Sequence, residues 1–465
     1  MKENGDEAND DAFDAFLRWC RANAIEVRED DVEFTFAVQK ANKDRGVTAK
    51  RALERGAILA VIPFEACLTL KTCSRADVAA SVEEALVKTK TEASWLCGLT
   101  AALCVERSLG LKSRYFAYDR VLPRCEANVV CAWNDGERSY LAGTEVETSL
   151  RDEAAAAKNE WERVVAPVFK EHGVECSFEQ FIEARTVVSS RAFTLSPNAG
   201  VGLVPIADAF NHLTGNHHVN VGDGDAVVRS ETGGEALCVK VTNEQGVRRG
   251  DEIFNTYGFH GNAKLLNSYG FTQNDNPADE VRLTTTNIRT EAALAGVCSG
   301  TQLTKRFEWL ERTQVCAPDA SFSISKSQAI SEELCAVVWT LVASEDAFQK
   351  IRHTNRHADA LHAIETVSTA INTMKIRGNN PSTLTPEVAD VISLAIERRL
   401  SLYRSQTNID GGVSPPRVEL AIQLINSERA ILKSALLTLT EFVNKHSHKR
   451  AKGSKDDSDA FALFD

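Results

Sequence analysis

The sequence predicts an α+β fold in which small β-sheets are interrupted by a helical insert and followed by an all-helical C-terminal domain. Short apolar runs punctuated by turn residues occur at 47–70 and again at 191–254. Helical periodicity fills the interval between these regions and returns beyond about 290. Because neither strand region is large enough to stand alone, we expect both to belong to one sheet system.

These patterns divide the 465 residues into four stretches. A chain of this length is too long for one compact core. We expect a disordered acidic lead at 1–11, a mixed domain at 12–280 with its helical insert at 75–185, a helical domain at 285–447 and a disordered charged tail at 448–465.

The first predicted elements are a short helix and two strands. Residues 11–24 place apolar side chains on one face at helical spacing. The apolar runs 47–49 and 57–63 predict strands, because the Arg55–Gly56 turn separates them.

The insert is predicted to be helical throughout. Trp95, Leu99 and Leu103 recur at helical spacing. Ser177 is predicted to cap a further helix, since Gln180 stands at the third position of a capping box.

Strand character returns after Arg191. Apolar and less apolar side chains alternate over 237–242, which predicts a half-buried strand. The runs 219–221 and 226–228 flank the turn residues 222–225, and this pattern predicts a hairpin.

Amphipathic periodicity dominates the rest of the chain. It predicts helices at 331–350, 357–374, 386–403 and 416–446. Their apolar stripes are typical of a helix-bundle core.

Composition limits the possible functions. The net charge of -12 argues against non-specific nucleic-acid binding and favours attraction of a basic target. No run of about 18 apolar residues and no signal peptide are present, so we expect no membrane association. The twelve cysteines lack a C-x-x-C pair, which predicts reduced thiols and no metal site. We expect a monomer in the cytoplasm, the nucleus or both. The basic cluster 445–452 is more typical of a solvated helix end, and a nuclear signal is the alternative.

Three segments contain the residues best suited to chemistry. Residues 204–212 end in Asn211–His212, residues 250–258 contain Asn-Thr-Tyr257-Gly, and residues 267–271 contain Ser-Tyr-Gly-Phe. Taken alone, each of these residues more often serves local structure, as a loop hydrogen-bond partner or a core tyrosine.

In combination these segments resemble the SET-domain methyltransferases, where an Asn-His segment and a Tyr-Gly segment pack together in a pseudoknot-like core of small sheets. Arg45–Gly46–Val47 matches the opening strands of that family. Within it, residues 13–445 are most similar to the Rubisco large-subunit and ribosomal-protein lysine methyltransferase class, where a helical insert interrupts the SET fold and a helical substrate-binding domain follows.

The resemblance implies an S-adenosylmethionine-dependent protein-lysine N-methyltransferase. Its target would be a lysine side chain of a non-histone protein, such as a ribosomal protein, methylated by direct in-line transfer. Two alternatives use the same scaffold: a protein-histidine methyltransferase and a non-catalytic interaction protein.

The resemblance also implies roles for individual residues. Tyr257 matches the catalytic tyrosine, and Tyr269 a second tyrosine of the target-lysine channel. Arg191 and Asp208 match substrate-binding positions, together with both tyrosines. A second arginine of the plant enzyme falls here on Leu195, so Rubisco specificity does not carry over. The implied cofactor-binding residues are Asp44, Arg45, Gly46, Val47, Asn211, His212, Tyr257 and Phe271.

These residue types suit methyl transfer from a sulfonium. A free lysine has a pKa of about 10.4, and a narrow aromatic channel beside a positive sulfur lowers that pKa by desolvation and like-charge repulsion. Alignment of the reacting pair can supply about 7–11 kcal/mol, and neither a metal nor a catalytic carboxylate is needed.

Overall fold

The computed structural model describes residues 3–35, 45–91, 94–196, 199–221, 227–230, 233–328, 330–371, 383–403 and 416–459. The chain forms two compact units. The first contains Met1–Arg138 and Val146–Ala278, and the second contains Ser139–Glu145 and Asp279–Asp465.

The first unit is built from short strands. Their bounds are β1 Glu26–Val27, β2 Val32–Thr35, β3 Gly46–Ala49, β4 Ile58–Pro63, β5 Ala192–Ser196, β6 Gly200–Leu203, β7 Val219–Asn220, β8 Val227–Arg229 and β9 Glu235–Val241. The largest sheet has the order β1-β4-β9-β7, with β8 also paired to β9, and β2–β3 and β5–β6 form antiparallel pairs of their own.

Strand β9 joins the two strand regions. It pairs antiparallel with β4, with Ile62 opposite Leu237, which confirms that both regions belong to one sheet system. The prediction of a half-buried strand holds at Lys240 and Thr242, which are partly exposed. It fails at Cys238, which lies on the same face and is only 1% exposed.

The predicted hairpin at 219–228 is also wrong. Its turn, 222–225, lies outside the described residues, but both flanking strands are described. Strand β7 pairs with Lys240 and Val241, whereas β8 pairs with residues 235–237. The two strands therefore line β9 one after the other rather than pairing together.

The helices of the first unit share one apolar core with its strands. Their bounds are α1 Glu3–Ala22, α2 Ala76–Thr89, α3 Ser94–Leu109, α4 Phe116–Asp119, α5 Asp135–Arg138, α6 Glu145–Glu160, α7 Ala166–His172, α8 Phe178–Arg191 and α9 Asn262–Tyr269. The Ser177 capping box at the start of α8 is confirmed. Helix α1 already begins at Glu3, where the sequence predicted a disordered lead through residue 11, since acidic residues are compatible with a first helical turn.

The second unit is mainly helical. Its helices are α10 Thr285–Leu294, α11 Gly300–Arg312, α12 Glu332–Val342, α13 Glu345–Ile351, α14 His357–Ile371, α15 Pro386–Leu402 and α16 Pro416–Asp459. Its core is a separate apolar cluster that includes Phe307, Trp339, Ile392 and Leu432.

Two predictions for this unit need correction. It is not all-helical, because β10 Glu280–Thr284 and β11 Ser321–Ser325 form an antiparallel pair. The single helix predicted at 331–350 is two, since Ser344 caps α13 by accepting a hydrogen bond from the Ala347 amide. The disordered tail expected at 448–465 stays a prediction, and helix α16 runs to Asp459.

In the part of the chain that the structure describes, every helix is too short or too polar to traverse a bilayer.

The packing of β9 predicts a large loss of stability on truncation. Leu237 is fully buried, so Leu237→Ala should lower the local free energy of unfolding by about 2–5 kcal/mol through lost burial and a new cavity. Hydrogen–deuterium exchange of peptides from β4 and β9 measures this effect. The matched control is Leu111→Ala, whose side chain is 83% exposed; equal exchange in the two variants would contradict the assigned core.

Candidate functional site

A crossing of three backbone segments forms the centre of the site. The backbone amide of Asn255 donates to the backbone carbonyl of Asn211 (2.7 Å), and the backbone carbonyl of Asn255 accepts from the amide of Leu213 (3.1 Å). On its other side, the Val219 amide donates to the Phe254 carbonyl (3.0 Å). The segment at 254–255 is therefore threaded between 211–213 and 218–219, which is the pseudoknot-like arrangement expected from the sequence.

Asn211 ties this crossing to β3. Its side-chain Nδ2 donates to the carbonyl of Arg45 (2.6 Å) and to Oε1 of Glu252 (2.7 Å). A Cβ atom on Gly46 would lie 2.9 Å from that same carboxylate oxygen. Position 46 therefore requires glycine, because the side chains of Glu252 and Asn211 lie so close to its backbone that even a methyl group would displace one of them.

His212 is held as a neutral imidazole of one tautomer. Its Nδ1 accepts from the Tyr257 amide (2.9 Å), so the proton is on Nε2, which donates to Oγ1 of Thr214 (2.7 Å). Burial lowers the pKa of His212 to about 4, assisted by His260 and His217. The imidazole therefore carries no charge at neutral pH.

Three aromatic rings cluster beside this histidine. The ring centroid of Tyr257 lies 5.0 Å from that of His212 and 4.9 Å from that of Tyr269. Phe271 lies 6.0 Å from His212 and 6.4 Å from Tyr269. Such ring faces attract cations and stack on planar groups.

Both tyrosine hydroxyls of the cluster stay protonated. Burial raises the pKa of Tyr257 well above its ordinary value, against the opposing effect of Arg191. Burial also raises the pKa of Tyr269. The Tyr257 hydroxyl donates to the carbonyl of Phe210 (2.9 Å), which fixes its direction and leaves its oxygen lone pairs available.

Helix α9 positions Tyr269 and Phe271. It ends at Gly270, whose φ of +77° is left-handed. A Cβ atom there would lie 2.7 Å from the backbone of Asn128 and Val129. Glycine therefore allows the sharp turn that places aromatic rings on both sides of position 270.

A buried ionic network lies behind the rings. Arg191 donates from Nε to Glu126 (2.6 Å) and from Nη1 to the carbonyl of Asp208 (2.8 Å). Arg45 pairs with the Asp208 carboxylate at 3.1 Å. Burial opposes ionisation of Arg191, but Glu126 and Asp208 outweigh it and raise its pKa. Burial and the neighbouring Arg191 lower the pKa of Arg45.

The residues present fit S-adenosylmethionine. The Asn255 side-chain amide is fully buried, and both its oxygen and its nitrogen lack a partner among the described residues. An unsatisfied buried amide at the crossing suits a polar ligand group, because leaving it unpaired costs about 1–3 kcal/mol. The adjacent rings suit a sulfonium cation and an adenine plane.

The structure brings together nearly every residue singled out in the sequence. Asn211, His212, Tyr257, Tyr269 and Phe271 converge, and Arg45, Gly46 and Val47 lie against them through Asn211 and a Val47–Ile253 backbone bond of 2.7 Å. Arg191 and Asp208 share the ionic network. Asp44 lies outside the described residues.

Sequence reasoning missed three participants: Glu252 anchors Asn211, Thr214 fixes the His212 tautomer, and Glu126 pairs with Arg191. Asn255, which supplies the unsatisfied amide, stands two residues before Tyr257, and the sequence suits it equally to shaping the channel and to hydrogen bonding at a strand end. Glu126 belongs to the helical insert, and no local pattern connects it with the site.

The neutral His212 predicts an acid-side loss of stability. Its folded pKa of about 4 is below the unfolded value of 6.5. As the pH falls from 6.5 towards 4, the unfolded chain binds a proton that the folded chain does not, so the free energy of unfolding decreases. Histidine-ring NMR should show His212 titrating near the lower value.

Variants isolate this contribution. In His212→Gln the pH dependence of stability over this window should shrink, whereas His353→Gln, at an exposed position, should leave it unchanged. A His212 ring that titrates near 6.5 in the folded protein would refute the assigned hydrogen bonds.

Comparisons with known proteins agree with this geometry. No protein-family model matches the chain. Similar curated proteins include N-lysine methyltransferase SETD6 of Rattus norvegicus, 27% identical over 71% of this chain and 69% of the rat protein. The Homo sapiens SETD6 is 26% identical over 68% of this chain and 67% of the human protein. The ribosomal lysine N-methyltransferase set10 of Schizosaccharomyces pombe is 25% identical over 40% of this chain and 33% of the yeast protein.

Solved structures show the same fold. The SET domain of LSMT bound to lysine and AdoHcy matches with a TM-score of 0.67 at 18% identity, covering 93% of this chain and 91% of that one. Rubisco LSMT bound to AdoMet matches with a TM-score of 0.66 at 17% identity, covering 93% of this chain and 92% of that one. The chain therefore has the fold of these SET-domain structures, and the curated proteins that it resembles are N-lysine methyltransferases.

Proposed function

We propose that this chain transfers a methyl group from S-adenosylmethionine to a lysine side chain of a non-histone protein by direct in-line displacement. The observation that supports this most strongly is the convergence of Tyr257, Tyr269 and Phe271 on the Asn211–His212 crossing. Two of the similar proteins, the ribosomal lysine N-methyltransferase set10 and Rubisco LSMT, are named after non-histone proteins, which supports a non-histone target.

The cofactor-binding surface comprises Asp44 to Val47, Asn211, His212, Tyr257 and Phe271. S-adenosylmethionine, when bound, supplies an activated methyl group on a positive sulfur. Asn211 cannot turn towards a ligand without losing two short hydrogen bonds, so its role is to fix the backbone of β3. The aromatic faces supply the affinity for a planar base and a cation.

Tyr257 acts as the catalytic residue by orienting the incoming amine. Its hydroxyl proton is committed to the Phe210 carbonyl, so its oxygen is an acceptor for an amine N–H. Because burial keeps the phenol neutral, it directs the amine lone pair without placing an anion beside the sulfonium. Tyr269, 4.9 Å away between ring centroids, lines the same channel for the target lysine.

Arg191 and Asp208 line the substrate-binding region, and they also support it through the residues that they contact. Through Arg45 and Glu126 they hold the start of β3 and the helical insert behind the tyrosines. The net charge of -12 favours a target with basic surroundings. The enzyme acts as a monomer in the cytoplasm, the nucleus or both, with a protein as its partner.

Labelled methyl transfer tests the proposal directly. Incubating the enzyme and isotopically labelled S-adenosylmethionine with a cell lysate, followed by peptide mass spectrometry, should locate the label on lysine. Label on histidine would establish the histidine-directed alternative. No labelled peptide at all would favour a non-catalytic SET-fold protein.

Tyr257→Phe should slow transfer with little change in cofactor affinity. Loss of the orienting oxygen should reduce kcat by about 10²-fold, because small misalignments cost that much. Tyr115→Phe is a matched control, since this buried phenol also donates to a carbonyl, that of Cys67 (3.0 Å), away from the site. Equal kcat values for the two variants would remove Tyr257 from its catalytic role.

Asn211→Asp should weaken S-adenosylmethionine binding by about tenfold or more, since it removes two hydrogen bonds and faces Glu252 with a second carboxylate. Adding Glu252→Gln should restore part of the affinity, because the new amide can donate to the new carboxylate. Isothermal titration calorimetry measures both effects. Unchanged binding by Asn211→Asp would show that the crossing does not shape the cofactor site.

A further inference from the structure

A polar cavity lies in the second unit, between α11, α13 and the turn that follows α13. Its volume is about 500 Å³, within the range of ordinary ligand sites. None of the residues assigned above to methyl transfer lines it.

The charge of this cavity is opposite to that of the whole chain. Four permanent cations and two carboxylates line it, which leaves an excess of two positive charges, with His353 in addition, whereas the chain carries -12. The cations are Lys305, Arg306, Arg312 and Arg352, and the carboxylates are Glu308 and Glu345.

Arg306 and Glu345 are largely satisfied by the protein itself. Arg306 is 1% exposed, and its Nη1 donates to the carbonyls of Leu341 (2.6 Å) and Thr340 (3.1 Å). Its Nη2 lies 3.6 Å from Glu345. Glu345 also accepts from the side chains of Gln302 and Gln349, so this carboxylate is occupied within the fold.

The remaining cations are available to a ligand. Lys305, Arg312 and Arg352 are exposed, and in the described ranges none of them has a carboxylate within 4.0 Å. Arg352 donates to Oε1 of Gln349 (2.7 Å), and Arg312 reaches the carbonyl of Arg352 (3.5 Å). The Arg312 guanidinium therefore lies against the backbone of Arg352, so the two residues are neighbours in the lining of the cavity.

Two buried residues of the lining, Arg306 and Trp309, also carry unsatisfied donors. Trp309 is 2% exposed, and neither its Nε1 nor the Nε of Arg306 has an acceptor among the described residues. Trp309 stands edge-on to Phe348 at 5.9 Å. Cations and unsatisfied N–H groups in one cavity fit a ligand that only accepts hydrogen bonds, which is an oxyanion.

The spacing of the cations fits two oxyanions on an extended segment. Lys305 and Arg312 are seven residues apart on α11, which corresponds to about 10 Å along the helix axis. Three residues of extended chain cover about 10 Å. Two acidic side chains three residues apart therefore match the two ends of the cavity.

We propose that this cavity binds an acidic protein segment in extended conformation, with one carboxylate or phosphoryl group at Lys305 and another, three residues away, at Arg312 and Arg352. The segment docks on the second unit alone. Its binding is independent of methyl transfer, so it stands or falls separately from the proposed activity.

Fluorescence anisotropy on the full chain tests this site with labelled peptides. The probes are a peptide with two glutamates three residues apart, its glutamine counterpart and its phosphoserine counterpart. The glutamate peptide should bind more tightly than the glutamine peptide, and its affinity should fall as salt increases. Tighter binding of the phosphoserine peptide would identify phosphorylated segments as the preferred source of the anions.

Paired variants locate the binding surface. Arg312→Gln with Arg352→Gln should weaken glutamate-peptide binding by about tenfold or more, since two charge-assisted contacts are lost. Arg398→Gln with Lys433→Gln removes the same charge from exposed positions on α15 and α16 and should leave affinity unchanged. Circular dichroism checks that both variants fold.

Three results would overturn the proposal. These are equal affinity in the two double variants, equal binding of the glutamine peptide, and binding of inorganic phosphate as tight as that of the glutamate peptide. The last result would show a site for a single free anion rather than for a protein segment.

Discussion

The site depends on one asparagine. The amide of Asn211 holds the Arg45 carbonyl at 2.6 Å and the Glu252 carboxylate at 2.7 Å, while its backbone carbonyl accepts from Asn255. Three strand segments remote in sequence are thereby fixed around one residue. The donor must be an amide, because a carboxylate of similar shape would repel both oxygens, and the neighbouring position must be glycine, because Gly46 lies in contact with the same groups.

The site contains neutral rings at its centre and paired charges behind them. His212, Tyr257 and Tyr269 are held neutral by burial, whereas Arg45, Asp208, Glu126 and Arg191 form compensated pairs behind them. In the proposed reaction, a cationic donor and a neutral amine therefore meet a surface of rings and dipoles. The fixed charges exert their influence mainly by holding positions, which is how preorganised polar surroundings lower barriers without reorganising.

Local pattern predicted the elements better than their partners. Alternation at 237–242 indicated a strand, but not that β9 would be central or that Cys238 on its second face would be buried. The apolar run at 331–350 concealed a break, because Ser344 caps a new helix inside it. The β10–β11 pair was missed in a region of helical periodicity. The convergence of Asn211, His212, Tyr257 and Tyr269 was expected only from family resemblance, since hydrogen bonds between residues so distant leave no trace in spacing. The hydrogen bond between Glu126 and Arg191 could not be predicted from sequence spacing for the same reason.

The threaded crossing also constrains the order in which the protein can mature. Strand β3, the Asn211 segment and the 254–255 segment are separated by long stretches that include the entire helical insert. Closing such long loops costs entropy before any contact stabilises them, so the crossing is expected to form late in folding. During synthesis, a ribosome-bound chain that has not yet exposed Phe271 lacks one of the rings that cluster around His212. The proposed site is consequently incomplete until the chain has been translated past Phe271.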